Sequence, residues 1–214
     1  MKKDLFQNKK LITTGGVIIL CLVLVAFFPR KDVFQGIIVN LTFLLIIPIL
    51  YIKIILKKKL GNFGLQTGDK KKGIIWAVLS LVVSLLIFYI IYNYTSFSEY
   101  YRLPQRIMTD FWFFIFFEVL LIGSITVLYE FFFRGFVMFN FTEKFGYWAV
   151  IAQFLLFILF LLATGNLGWS IIPIIISAPF AGITAYKSRS LIYSLGVSLF
   201  FVIISDALVI GLSR

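Results

Sequence analysis

The sequence contains no histidine among its 214 residues and only one cysteine, Cys21. Without histidine, the chain has no imidazole to ligate haem or zinc, or to shuttle a proton near neutral pH. A single cysteine excludes a disulfide within the chain and disfavours a thiolate metal site. We therefore expect no metal and no cofactor.

Charge is also scarce, since only 14% of the residues are charged and 61% are hydrophobic. Soluble domains carry roughly 25% charged residues. A soluble fold of this size would lack the polar groups that its surface needs. The composition therefore predicts an all-α protein, a polytopic membrane helix bundle whose solvent is the bilayer.

Seven apolar stretches are long enough to cross a bilayer core of about 30 Å, which takes roughly 20 residues per helix. We expect the first to be a retained span and not a cleaved signal peptide, because it is long and no small-residue cleavage site follows it. We group residues 1–59 as the first two transmembrane helices and 60–214 as the core of one membrane domain. The predicted spans are 11–28, 34–56, 73–94, 111–134, 147–164, 169–186 and 191–212.

Lysine and arginine set the expected orientation, because cytoplasmic connections are enriched in both. With the N-terminus in the cytoplasm and the C-terminus outside, the outer side holds only Arg30, Lys31, Arg102, Arg106 and Arg214 of the 20 Lys and Arg residues. The basic residues lie at helix ends and form no continuous face, so we expect membrane lipids and no nucleic acid as partners. The predicted location is the cell membrane (plasma or inner membrane).

Four ionisable residues fall within predicted spans, and each is a functional hypothesis by default because burial in lipid is costly. Glu130 and Arg134 are four residues apart, which places them on one helix face within ion-pair reach. They form either a structural pair or a carboxylate held beside a ligand site. Glu118 is expected to snorkel near the outer end of the same helix, and Asp206 needs a partner from another helix.

The segment from Tyr129 to Gly135, Tyr-Glu-Phe-Phe-Phe-Arg-Gly, resembles the first motif of the CPBP family, Glu-Glu-x-x-x-Arg. This family comprises the CAAX-type intramembrane proteases and the bacteriocin-processing and Abi proteins of bacteria. Residues 61–68 with 70–72, and residues 179–190, are similar to the family's segments before its core and before its last core helix. The resemblance implies a CAAX-protease-like core in which a glutamate and histidines activate a water molecule.

The motif residues of that family are incomplete in this chain. Tyr129 replaces the first glutamate, and Thr164 stands where the second motif has histidine after Phe160. The third motif, His-x-x-x-Asn or Asp, falls on Ser198 and Val202, or one turn later on Val202 and Asp206. The surviving motif positions are therefore Glu130 and Arg134, and the cavity candidates are Tyr129, Thr164, Asn166, Ser198 and Asp206.

Three functions follow from these observations. We favour a pseudoenzyme that acts by binding a membrane protein, a hydrophobic peptide or a lipid, as a regulatory or immunity-like protein. A working endopeptidase with altered chemistry is the second hypothesis. A small transporter that uses Glu130, Arg134 and Asp206 is the third.

Overall fold

The computed structural model describes residues 2–212, with side chains from residue 9 onward, and every regular element in that part is helical. We label nine helices, of which α4 and α5 are short segments between α3 and α6. Their bounds are α1 Lys2–Phe27, α2 Val33–Ile55, α3 Lys70–Tyr94, α4 Phe97–Tyr100, α5 Gln105–Thr109, α6 Phe111–Phe145, α7 Trp148–Ala163, α8 Trp169–Ser188 and α9 Leu191–Leu212.

The prediction of a polytopic helix bundle is confirmed. Six helices are long and apolar enough to cross a membrane, namely α2, α3, α6, α8, α9 and the Lys9–Phe27 part of α1. The remaining predicted span, 147–164, corresponds to α7, which has 16 residues. At 1.5 Å per residue it is about 24 Å long, somewhat less than the bilayer core.

Helix α6 is longer than the sequence suggested, because the predicted span ended at Arg134 whereas the helix continues to Phe145. Arg134 consequently lies inside the bundle with only 6% of its surface exposed, and it is not a charge on a connecting loop. The predicted boundary was wrong because a charged residue usually ends a span. Here Glu130 pairs with Arg134 one turn earlier and lets the helix run on.

Two of the long helices are partly wound as π-helix, with i→i+5 hydrogen bonds. In α2 these stretches are Thr42–Ile46 and Tyr51–Ile55, and in α6 they are Phe117–Ile122 and Glu130–Met138. The π-helix is rare and usually limited to single turns, often at functional sites. The stretches of α6 contain all of its membrane-embedded charged residues: Glu118, Glu130 and Arg134.

Helices α3, α8 and α9 make the most extensive helix contacts and form the centre of the bundle. The second π-helical stretch of α6 packs against α7 and α9. One large apolar cluster joins α1, α2, α6, α7 and α8, and a smaller one joins α3, α4, α8 and α9. A polar group placed between α6 and α9 is therefore enclosed by apolar side chains.

The two ends of the bundle differ in charge. At the basic end, Lys10, Lys58 and Lys144 line one groove, and the ammonium of Lys58 lies 3.5 Å from the carboxylate of Glu143. At the opposite end, which we call the aromatic end, Tyr100 stacks on Trp169 with ring centres 5.8 Å apart. Helix α7 follows Lys144 of the basic end and is followed by Trp169 of the aromatic end. It therefore connects the two ends of the bundle although it is short.

The connection between α2 and α3 docks on the turn between α8 and α9, which brings together two of the segments that carried the family resemblance. The Asp69 amide donates to the Ser188 carbonyl at 2.8 Å, and the Leu191 amide donates to the Gly64 carbonyl at 2.9 Å. The Ser190 hydroxyl donates to the Gln66 carbonyl at 2.5 Å. These bonds satisfy backbone groups that would otherwise be buried unpaired.

We predict that Gly68→Ala strongly destabilises the protein. Gly68 has φ +56°, and a Cβ there would lie 2.1 Å from the Ser188 carbonyl oxygen. The left-handed backbone alone costs alanine about 1–2 kcal/mol, and the collision adds to it. Thermal unfolding in detergent should show a loss of at least about 2 kcal/mol.

Gly16→Ala is the matched control, because a Cβ at this helical position meets no atom within 4 Å. It should leave the unfolding temperature unchanged or raise it. Equal losses in both variants would contradict the docking of the α2–α3 connection.

Candidate functional site

Glu130 and Arg134 form the ion pair that their spacing predicted, and it is buried. The distance from Arg134 Nη1 to Glu130 Oε1 is 2.5 Å. Only 2% of Glu130 and 6% of Arg134 is exposed. Both residues lie in the π-helical stretch Glu130–Met138, so α6 itself holds the two side chains together.

Helix α9 supplies two hydroxyl groups to the same carboxylate. Ser194 Oγ donates to Glu130 Oε2 at 2.8 Å, and Ser198 Oγ donates to Oε1 at 2.6 Å. The two serines are four residues apart and so face Glu130 from one side of α9. Arg134 Nη2 donates to the Ala178 carbonyl of α8 at 3.0 Å. One ion pair thereby joins α6, α8 and α9.

A cavity opens beside this pair and encloses about 370 Å³, including its mouth. Its widest part has room for about one water molecule. The wall combines aromatic rings with hydroxyl, amide and guanidinium groups. The lining residues are Thr126, Tyr129, Phe133, Arg134, Gln153, Phe157, Ile174, Ser177, Ser198 and Val202.

Two N–H donors in this wall have no protein partner in the part of the chain that the structure describes: Arg134 Nε and Gln153 Nε2. Gln153 is 1% exposed. Its amide packs against Gly182 of α8, where a Cβ would lie 2.7 Å from Nε2. A buried donor without a partner costs about 1–3 kcal/mol, so the cavity favours an occupant that accepts hydrogen bonds.

The structure brings some of the predicted cavity residues together and leaves others apart. Tyr129 and Ser198 line the cavity with Arg134, and Val202 of the first third-motif register lines it too. Thr164 and Asn166 lie elsewhere, at the end of α7. There Thr164 donates to its own helix at the Phe160 carbonyl, 3.0 Å away, and the exposed Asn166 donates to Thr164.

Sequence reasoning missed Ser194, and it expected Gln153 to make interhelical hydrogen bonds without including it among the cavity residues. Gln153 lies 11 residues before Thr164, about 16 Å along the helix, so the motif comparison selected the wrong end of α7. Gln153 is the one polar side chain in Trp148–Ala163, which was a usable signal. The four-residue spacing of Ser194 and Ser198 was another.

Asp206 does not join this cavity but pairs at the aromatic end. Tyr101, in the connection between α4 and α5, donates its hydroxyl to Asp206 Oδ1 at 2.5 Å. Burial, reinforced by the Asp206 carboxyl group, raises the pKa of Tyr101 above its ordinary value. Glu118 also faces Asp206 and is fully buried, so the expectation that Glu118 snorkels is wrong.

Comparison with protein-family models, with curated proteins and with solved structures finds no match for this chain. The resemblance to the CPBP family therefore rests on the residues quoted above.

The arrangement around Glu130 limits what this carboxylate can do. A carboxylate offers about four acceptor positions. Arg134, Ser194 and Ser198 take three of them. A general base must accept a proton from a bound water molecule and pass it on. Glu130 is not among the residues that line the cavity, and its bonded neighbours are an arginine and two serines, which do not relay a proton near neutral pH. Glu130 is engaged in bonds that hold helices together.

We predict that Arg134→Met destabilises the protein by about 3–5 kcal/mol, because it leaves the Glu130 carboxylate buried without its counter-charge. The double variant Glu130→Gln/Arg134→Met should recover a large part of that loss, since the glutamine amide introduced at position 130 is neutral. Its oxygen still accepts from one serine, and its NH2 group can donate to the hydroxyl oxygen of the other. Chemical or thermal unfolding in detergent measures both. A double variant as unstable as the sum of its single changes would contradict this account.

Proposed function

We propose that this protein is a multi-pass membrane protein that binds a hydrophobic peptide or lipid in its intramembrane cavity and does not cleave it. The proposal includes a CPBP-like core that lacks peptidase activity. The observation that carries it is the bonding of both Glu130 oxygens to Arg134, Ser194 and Ser198. The groups bonded to Glu130 are two hydroxyls and a guanidinium, and none of them exchanges a proton readily at neutral pH.

The two N–H donors without a partner support the proposal that the cavity binds a ligand. Arg134 and Gln153 line the cavity together with Phe133 and Phe157, and Arg134 Nε and Gln153 Nε2 have no partner among the described residues. A small number of polar groups in an apolar wall is typical of ligand sites. The matching ligand has an apolar body and one hydrogen-bond acceptor, such as a backbone carbonyl of a membrane peptide or an ester carbonyl of a lipid.

The cavity as described admits only a water-sized group, so a larger ligand enters by separating the helices around it. Tyr129, Phe133 and Phe157 pack edge to face and close the side formed by α6 and α7, with ring centres 5.0–6.1 Å apart. Such contacts contribute about 0.5–1.5 kcal/mol per pair. The free energy needed to separate these rings is therefore smaller than the free energy that ligand binding ordinarily provides.

We predict saturable binding without cleavage when the reconstituted protein is offered fluorescent membrane peptides, including prenylated C-terminal ones. Anisotropy measures binding, and mass spectrometry of the same samples detects cleavage. Gln153→Leu should weaken binding about tenfold, the equivalent of one lost hydrogen bond of about 1.4 kcal/mol. Phe116→Leu, at a position 51% exposed on the lipid side, is the control and should have no effect.

The alternatives give different results in this experiment. Peptide cleavage that disappears in Glu130→Gln would establish an endopeptidase with altered chemistry and overturn the proposal. Ion-dependent uptake of a solute into proteoliposomes, with no peptide or lipid binding, would instead favour the transporter.

The proposed orientation has the basic end in the cytoplasm, with the N-terminus inside and the C-terminus outside. The supporting observation is the clustering of lysines at that end, as the positive-inside rule requires. In a Cys21→Ser background, a membrane-impermeant thiol reagent applied to intact cells should label Ser98→Cys and spare Lys71→Cys. Both positions are exposed, and the reverse labelling pattern would overturn the orientation.

A further inference from the structure

Two carboxyl groups meet at the aromatic end of the bundle, away from the Glu130 cavity. Glu118 lies in the π-helical stretch Phe117–Ile122 of α6, and Asp206 lies in α9, which packs against that stretch. Glu118 is fully buried and Asp206 is 3% exposed. The function proposed above uses neither residue.

The contacts of this pair are unusual because the carboxyl oxygens of Glu118, which accept hydrogen bonds, face the carboxyl group of Asp206, which also accepts them. No N–H or O–H group of the described residues donates to either oxygen of Glu118, and its neighbour within side-chain bonding range is the Asp206 carboxyl group. Asp206 Oδ1 accepts from the Tyr101 hydroxyl at 2.5 Å. Two carboxylate groups in this position repel each other unless a positive charge lies between them.

No side chain in the part of the chain that the structure describes supplies that charge. Among the described residues, no lysine or arginine forms an ion pair with Glu118 or Asp206. Arg106, from α5 at the same end, is placed over the Phe113 ring at 4.3 Å. Among the side chains of residues 9–212, the titratable groups that interact with Glu118 or Asp206 are the partner carboxyl group and Tyr101.

Water is also largely kept away from this position. Both residues are buried, and Tyr101, which donates to Asp206, belongs to the apolar cluster of α3, α4, α8 and α9 together with Phe88, Phe97, Phe201, Val202 and Val209. An uncompensated carboxylate in such surroundings costs several kcal/mol or more. A stable bundle with this geometry therefore needs a cation at the pair.

We propose that Glu118 and Asp206 together bind one singly charged cation, with the Tyr101 hydroxyl as an adjoining oxygen. Carboxylate and hydroxyl oxygens suit a proton shared between the carboxyl groups or a hard alkali ion. No group of three or more His, Cys, Asp or Glu side chains that could hold a metal ion occurs among the side chains of residues 9–212. The site binds its cation whether or not the Glu130 cavity binds a ligand.

The test measures thermal unfolding of the full chain in nanodiscs, in LiCl, NaCl, KCl and, as the ionic-strength control, choline chloride, at about pH 5 to 9. An alkali ion that binds the folded state raises the unfolding temperature with its concentration, by about 3 °C or more near saturation. A shared proton gives no salt specificity. Instead, stability falls as pH rises, because the folded state then holds a proton that the unfolded chain has released.

Glu118→Gln makes the prediction specific to this pair. Its amide N–H donates to Asp206, so the variant satisfies the pair without a cation and should lose the dependence on salt or pH. Asp206→Asn tests the same point from α9. Glu99→Gln, an exposed acid at the same end, is the matched control and should behave as wild type.

Infrared difference spectra distinguish the two cations, because a shared proton gives the C=O stretch of a protonated carboxyl group that disappears in Glu118→Gln. Salt-specific stabilisation without that band identifies an alkali ion. Wild-type unfolding that responds neither to alkali ions nor to pH, in the absence of a protonated carboxyl band, would overturn the inference. These measurements are made on the wild-type protein, so the result does not depend on whether the variants fold.

Discussion

The bundle depends on one buried carboxylate, Glu130, which together with Arg134 links α6 to α8 and α9. Arg134 neutralises it within α6, Ser194 and Ser198 hydrogen-bond to it from α9, and Arg134 reaches the Ala178 carbonyl of α8. In lipid, apolar packing gives little preference for one helix partner over another, so polar bonds specify which faces meet. The same bonds that specify the packing occupy the group that a peptidase would use.

Much of the fold was accessible from the sequence because the bilayer imposes a simple constraint. A span needs about 20 apolar residues with internally satisfied backbone groups, and this appears directly in the hydropathy of α3, α8 and α9. The Glu130–Arg134 pair was accessible for a similar reason, since residues four apart share a helix face. The need of Asp206 for a partner outside its own helix also followed from its burial in lipid.

Other features depend on relations between helices that no local pattern encodes. The π-helical stretches of α6 begin at or beside Glu118 and Glu130. They turn the following residues relative to an α-helix, so the helix faces shift over longer distances although residues four apart, such as Glu130 and Arg134, still meet. The motif comparison selected Thr164, whereas the three-dimensional contacts of α7 bring Gln153 to the cavity. Glu118 was expected to snorkel because no local pattern in the sequence showed that it faces Asp206, to which Tyr101 hydrogen-bonds.

The central claim is that Glu130 serves to join α6 and α9. A double-mutant cycle between Glu130→Gln and Ser198→Ala in detergent-solubilised protein measures the coupling free energy between the two side chains directly. Their charge-assisted hydrogen bond predicts a coupling of about 1–2 kcal/mol, since glutamine retains a weaker, neutral bond. A coupling of zero, with both single variants as stable as wild type, would contradict the account.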